Sequence, residues 1–259
     1  MTEYQSLTVE VSDGLAVLTL NRPEVRNAIN AQVQADVAAA LDALREDDTV
    51  GALIFTGAGD RAFAAGADIG QLANYDLHTG LTSSMQRLYD AIENYEKPTI
   101  AAVNGYALGG GCELAMACDI RIAAASARFG LPETTLSVLP GAGGTQRLAR
   151  LIGVGRAIEA ILTGRLFSAD EALAAGLVTE VAPDGAVVEA ARATAAKILA
   201  KGPVAVRLAK LVIRTGMDTD QRTGQVVERL AQALLYTTAD KAEGASAFLG
   251  KRSPEWTGR

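Results

Sequence analysis

Two glutamates, Glu113 and Glu133, stand in this chain within segments whose residue types could do chemistry. Glu113 closes the segment Asn104-Gly105-Tyr106-Ala107-Leu108-Gly109-Gly110-Gly111-Cys112-Glu113, in which an apolar strand gives way, through three glycines, to an apolar helix. The first N–H groups of a helix have no intrahelical partner and carry the positive end of its dipole, and glycines let a ligand come close to them. Such a turn suits an oxyanion or a phosphate. A tight connection whose glycines only relieve clashes, with Glu113 favouring the dipole, has the same sequence. Glu133 ends Phe129-Gly130-Leu131-Pro132-Glu133, among apolar neighbours. Burial there raises a carboxyl pKa and fits the group for general acid–base work; a solvated loop glutamate fits the same residues. In Arg61-Ala62-Phe63-Ala64-Ala65-Gly66-Ala67-Asp68-Ile69 a backbone N–H near Ala67 can supply a second anion donor, while Asp68 can equally serve as a helix cap.

Other chemistries fit poorly. Gly141-Ala142-Gly143 begins like a dinucleotide fingerprint, but Gln146 stands where the third glycine belongs, and no Gly-Lys-Ser/Thr phosphate loop occurs. His78 is the only histidine, which rules out two-histidine metal sites and leaves a Ser-His-Asp triad dependent on a polar surface stretch. Cys112 and Cys118 are the only cysteines, too few for a disulfide scaffold or a four-cysteine zinc site. With no second histidine to activate it, Cys112 reads as a small packing residue.

The elements that must position these groups are legible from periodicity. Leu7 to Val11 and Leu15 to Leu20 alternate around Ser12-Asp13-Gly14, a hairpin signal, and Asn21-Arg22-Pro23 stops the second strand. From Asn30, a cap, Val33, Val37, Leu41 and Leu44 fall on one helical face. Ala52 to Phe55 and Thr99 to Val103 read as buried strands, so strands, glycine turns and helices alternate in an α/β core. After about residue 165 helices dominate: a capping box at Ser168 to Glu171, then Val187 to Leu199, Pro203 to Arg214 and Asp218 to Thr237. Val226, Leu230 and Leu234 form a stripe expected to dock on the core or on another subunit.

Composition narrows the class. The chain has 259 residues, 49% hydrophobic and 21% charged, with a net charge of −6. That is globular, and it offers no broad basic field for nucleic acid or an anionic membrane. The longest uncharged stretch, Pro98 to Cys112, is 15 residues and is broken by glycines, too short to cross a bilayer. With Glu3 and Glu10 near the start and no basic-then-apolar run, no secretory signal is visible, and a cytoplasmic protein is expected.

Taken in order, Asn21 to Ala28 (Asn-Arg-Pro…Asn-Ala), Ala62 to Ile69, Asn104 to Ala115, Phe129 to Glu133 and Pro140 to Leu148 (Pro-Gly-Ala-Gly-Gly-Thr-Gln-Arg-Leu) resemble the crotonase, or enoyl-CoA hydratase, superfamily, and Ala247-Phe248…Lys251-Arg252 matches as well. The resemblance covers nearly the whole chain. It implies a crotonase-like α/β fold, a spiral of strand–strand–helix turns forming two roughly perpendicular sheets. A core over residues 1–195 would hold the active site, and a helical trimerisation region would cover 196–259. Carried over residue by residue, the oxyanion hole falls on the N–H groups of Ala67 and Gly110, and the catalytic acids on Glu113 and Glu133. Members that isomerise, decarboxylate or hydrolyse thioesters usually lack one of the two acids, so the pair implies hydration of a trans-2-enoyl-CoA. By the same analogy Glu113 activates the water and Glu133 serves the α-carbon.

Further implications concern coenzyme A, which is part of the substrate; neither a separate cofactor nor a metal is expected. Arg26, Ala65, Asp68 and Ile69 would lie along its path. Gly70 lies there too, but replaces a lysine common in hydratases, so a phosphate contact is missing. Phe248 and Lys251 would reach the coenzyme of a neighbouring subunit in a trimer or a hexamer built as a dimer of trimers. A 3-enoyl-CoA isomerase, or another acyl-CoA enzyme of the superfamily, is the alternative within it. An RNA-binding relative is the alternative outside catalysis, and the absence of a basic stripe opposes it.

Overall fold

Asp13 and Gly14 both take left-handed backbone, φ 51° and 78°, the conformation a two-residue hairpin needs. They join strand β1 (Leu7–Ser12) to β2 (Leu15–Leu20), antiparallel, with Leu7 opposite Leu20 and Ser12 opposite Leu15. The computed structural model describes residues 4–68, 70 and 74–259. Helix α1 (Ala31–Glu46) starts where Asn30 accepts the Val33 N–H at 2.9 Å, and it buries Val33, Val37, Leu41 and Leu44. Its C-terminal carbonyls are closed by the buried Lys97, whose Nζ donates to Leu44 O at 2.5 Å and Asp47 O at 2.8 Å. A cation there also complements the helix dipole.

From β3 onward the chain winds as a spiral. Strand β3 (Ala52–Gly57) leads to β4 (Ala62–Ala64), and helices α2 (Leu77–Thr82) and α3 (Ser84–Glu93) follow. The next turn is β5 (Thr99–Val103), β6 (Tyr106–Leu108) and α4 (Gly110–Ala117). After it come β7 (Ile120–Ala124), β8 (Arg128–Gly130), a short 3₁₀ turn (Glu133–Leu136), α5 (Gly144–Ile152) and α6 (Val154–Thr163). Each turn gives its first strand to a six-stranded sheet, ordered β1-β2-β3-β5-β7-β10, and its second to a four-stranded sheet, β4-β6-β8-β9. Strand β9 (Leu166–Ser168), α7 (Ala169–Ala175) and β10 (Glu180–Ala182) complete the two sheets. Strands β3 and β5 are buried along their full length, which is why they read as continuous apolar runs without alternation.

Helix α8 (Val187–Leu199) runs unbroken past residue 195 and packs on β3, β5 and β7. Beyond it α9 (Pro203–Met217) pairs with α10 (Gln221–Leu235), and α11 (Ala239–Leu249) leads to the C-terminus. These last helices keep large apolar side chains in solvent: Ile213 is 68% exposed, Leu230 66%, Leu234 56% and Phe248 84%. No helix among the described residues is long and apolar enough to cross a membrane.

Candidate active site

The site grows from the corner between β6 and α4. Gly109 adopts φ 50° and ψ −124°, a conformation closed to residues with a side chain, and turns the chain abruptly into α4. Gly111 then lies flat on Ala64 of β4, where a Cβ would collide with the backbone. The helix start is therefore driven against the loop that follows β4, and two amides come together. A Cβ on Gly110 would stand 3.4 Å from the Ala67 nitrogen, and one on Gly66 would stand 3.6 Å from the Gly110 nitrogen. Among the described residues neither amide donates to a protein acceptor. Gly110 is the first residue of its helix, and Ala67 forms an isolated parallel bridge with Ile29 through other groups. Such a pair can grip one developing oxyanion.

Glu113 lies one turn further along α4, 2% exposed. Its Oε1 accepts the N–H groups of Ala142 at 2.8 Å and Gly144 at 2.7 Å, while among the described residues no donor reaches its other oxygen. Burial raises its pKa above the usual carboxylate value, and the amides of Gly144 and Ala142 and the charge of Arg147 oppose that rise.

Glu133 opens the 3₁₀ turn after β8 and faces the same corner: a Cβ on Gly109 would stand 3.0 Å from its Oε1. Its Oε2 is buried without a hydrogen-bond partner among the described residues. Desolvation, with the nearby charge of Glu113, pushes its pKa up to about 7. One carboxyl group is thus anchored and the other unpartnered, an arrangement that favours an ionised and a protonated acid side by side.

The structure brings Glu113, Glu133, Ala67 and Gly110 together. Around them, the exposed Arg26 has φ 54° and its carbonyl accepts the Ala65 N–H at 3.0 Å. Asp68 Oδ1 accepts the Gly70 N–H at 3.1 Å, and its Oδ2 lies 4.0 Å from Arg22. Ile69 lies outside the described residues. Phe248 lies in the last turn of α11 and Lys251 two residues past its end, and among the described residues no hydrogen bond or ion pair joins them to the cluster. Cys112 is buried and its thiol is pushed up to about 12, so it packs rather than reacts.

Sequence reasoning missed four participants. The Ala142 and Gly144 amides belong to the glycine-rich segment weighed as a nucleotide loop; its glycines instead let the turn approach Glu113. Arg147 backs that turn, and Tyr89, fully buried on α3, donates its O–H to the Gly110 carbonyl at 2.8 Å. No local pattern marks these contacts, since their partners lie 5 to 31 residues away.

A spiral carrying paired amides opposite two acids defines an acyl-thioester enzyme of the crotonase type, and the comparisons agree. The profile of the enoyl-CoA hydratase/isomerase family matches residues 10–259, and the chain belongs to that family. It is 44% identical over 251 residues to the crotonyl-CoA hydratase of Syntrophomonas wolfei, covering 96% of each chain. It is also 42% identical to the 2,3-dehydroadipyl-CoA hydratase of Escherichia coli, covering 98% of this chain and 99% of that one. The crystal structure of an enoyl-CoA hydratase from Bacillus anthracis superposes with a TM-score of 0.95 at 43% identity, over 98% of this chain and all of the other.

Proposed function

We propose that the protein is an enoyl-CoA hydratase, adding water reversibly across the double bond of a trans-2-enoyl-CoA to give the 3-hydroxyacyl-CoA. The thioester carbonyl oxygen binds between the Ala67 and Gly110 N–H groups. Glu113, as carboxylate, takes a proton from water while the water oxygen attacks the β-carbon. The double-bond electrons move onto the carbonyl oxygen as an enolate, which the two amides stabilise, each donor contributing roughly 3 kcal/mol in the transition state. The enolate then collapses as Glu133, as carboxylic acid, gives its proton to the α-carbon. Glu113 ends protonated and Glu133 ionised, and exchange with solvent restores the pair.

The observation that carries this reading is the pairing itself: a doubly anchored Glu113 beside a Glu133 whose buried Oε2 has no partner. A single acid serves isomerisation; two serve the two proton transfers of hydration. The names of the relatives support the same reaction. Mixing the protein with crotonyl-CoA and following the loss of enoyl-thioester absorbance tests it. Unchanged absorbance with crotonyl-CoA and with longer 2-enoyl-CoAs would reject it.

The reaction needs no group beyond the coenzyme A that the substrate carries. The helices after residue 195 serve as the assembly region of a homotrimer or a dimer of trimers in the cytoplasm. The exposed apolar faces of α9 and α10 support this. In that assembly Phe248 and Lys251 approach the coenzyme of a neighbouring subunit, while Arg26, Ala65, Asp68, Ile69 and Gly70 border it within the same chain.

A further inference from the structure

We propose that Arg147 is a positioning residue for hydration: clamped by Asp90 and Glu93 of α3, its guanidinium fixes the turn at residues 142–144 and, through that turn, the carboxylate of Glu113. The inference rests on the hydratase reading and deepens it. Glu113 is only as well placed as the two amides that hold its Oε1, and those amides belong to a turn of alanine and glycine with no anchoring side chain of its own. Arg147 supplies the anchor. Its Nη1 donates to Ala142 O at 2.8 Å, so one residue is held at its carbonyl while its N–H holds Glu113. A Cβ on Gly143, where φ is 98°, would collide with that same nitrogen, so the guanidinium lies flush on the turn.

The other donors of Arg147 are committed to α3. Nε and Nη2 reach Glu93 Oε2 at 2.8 and 2.6 Å, and Nη2 reaches Asp90 Oδ1 at 2.7 Å. Glu93 is held in turn by Arg214 of α9 at 2.6 Å, whose second arm binds Asp119 at 2.9 Å. Arg147 is only 8% exposed, and a cation so buried is stable only with its partners in place. Behind it lies a cavity of about 910 Å³ bordered by Gly143, Arg147 and Arg214. Without the guanidinium the turn has open space into which it can relax.

The effect on the reaction is indirect, because among the described residues the hydrogen bonds of Arg147 go to Ala142, Asp90 and Glu93 and none goes to Glu113. The ionisable groups facing Glu113 are Arg147 from α5, Tyr89 from α3, Cys112 on α4 itself and Glu133 after β8. Arg147 is the one cation among these four, so its removal also makes Glu113 harder to ionise.

The test compares steady-state hydration of crotonyl-CoA by the wild-type protein with that by Arg147→Gln, Arg147→Lys and Glu93→Gln, each corrected for its folded fraction. Arg147→Gln is expected to lower kcat about 10–100-fold with KM little changed, as displacement of a reacting group by an ångström does. The acidic limb of its kcat–pH profile is expected to move upward. Arg147→Lys restores part of the rate, since an ammonium keeps charge but cannot span Ala142 O and both acids. Glu93→Gln, which keeps shape and the buried cation, moves kcat and the limb the same way by less, and reports should Arg147→Gln not fold. Wild-type kcat in the folded variants, a loss explained by unfolded protein with an unmoved limb, or a lysine variant no better than glutamine overturns the proposal. An inactive wild-type protein is a separate outcome that rejects the hydratase reading instead.

Discussion

Gly144 donates its N–H to Glu113 Oε1 at 2.7 Å across thirty-one residues of chain, so the start of α5 grips the side chain that α4 presents. A Cβ on Gly144 would stand 2.8 Å from that oxygen, which only a bare backbone can approach as it does. Two amides of one turn thereby hold a single oxygen of the carboxylate.

This anchoring separates two substitutions at one position. Glu113→Gln keeps an acceptor for the Ala142 and Gly144 amides, so thermal melts should stay near wild type while kcat falls about 10²–10⁴-fold. Glu113→Ala leaves both buried N–H groups without a partner, and chemical denaturation should show a loss of about 2–6 kcal/mol in addition to inactivity.

The raised pKa of Glu133, about 7, sets the same pH dependence in both directions of the reaction. Hydration needs Glu133 protonated, so its rate falls as pH rises through about 7. Dehydration of 3-hydroxybutyryl-CoA needs that one shared proton on Glu113 instead, and the overall reaction takes up no proton, so its kcat/KM falls over the same interval. Values of kcat/KM in both directions from pH 5.5 to 8.5 should run parallel; because the two acids interact, the midpoint belongs to the pair.

Stability follows from the same shift. The folded state holds the Glu133 proton to about 7 while an exposed glutamate releases it near 4.5, so stability declines as pH rises across that window. Glu133→Gln removes the decline. Melting curves should show the variant gaining on wild type at pH 8 and not at pH 4, with turnover lost at both.

Gly110→Ala tests the amide pair. The added methyl stands 3.4 Å from the Ala67 nitrogen, between the two donors, and its other close neighbour is the flexible Met85 Sδ at 2.9 Å. Turnover should drop by on the order of 10²-fold, comparable to losing one oxyanion donor, with a small change in melting temperature.

The apolar face of α10 should hold the assembly together. Leu230→Glu combined with Leu234→Glu places charges where 66% and 56% exposed leucines now meet solvent in the isolated chain. Sedimentation should shift from the proposed trimer or hexamer toward a monomer, and KM for crotonyl-CoA should rise with the loss of the contacts proposed for Phe248 and Lys251.

Local signals were sufficient for much of this molecule. Asp13-Gly14 specifies its hairpin because both residues tolerate positive φ, Asn30 caps α1 because its side chain reaches the Val33 amide, and Ser168 with Glu171 closes a capping box. Each is settled within a few residues, as are the strands β3 and β5, and the ordered motifs marked the pair Glu113 and Glu133 and the amides of Ala67 and Gly110. The short strands of the second sheet, β4, β6, β8 and β9, three residues each, were not legible as strands, because so few residues carry no period and they pair only with one another. Tertiary structure alone decided which oxygen of Glu113 is anchored, that Glu133 Oε2 is buried without a partner among the described residues, and that Arg147, Asp90 and Glu93 converge behind the turn at 142–144. Those outcomes depend on desolvation and on contacts between residues far apart in the chain, and both exist only once the spiral has closed.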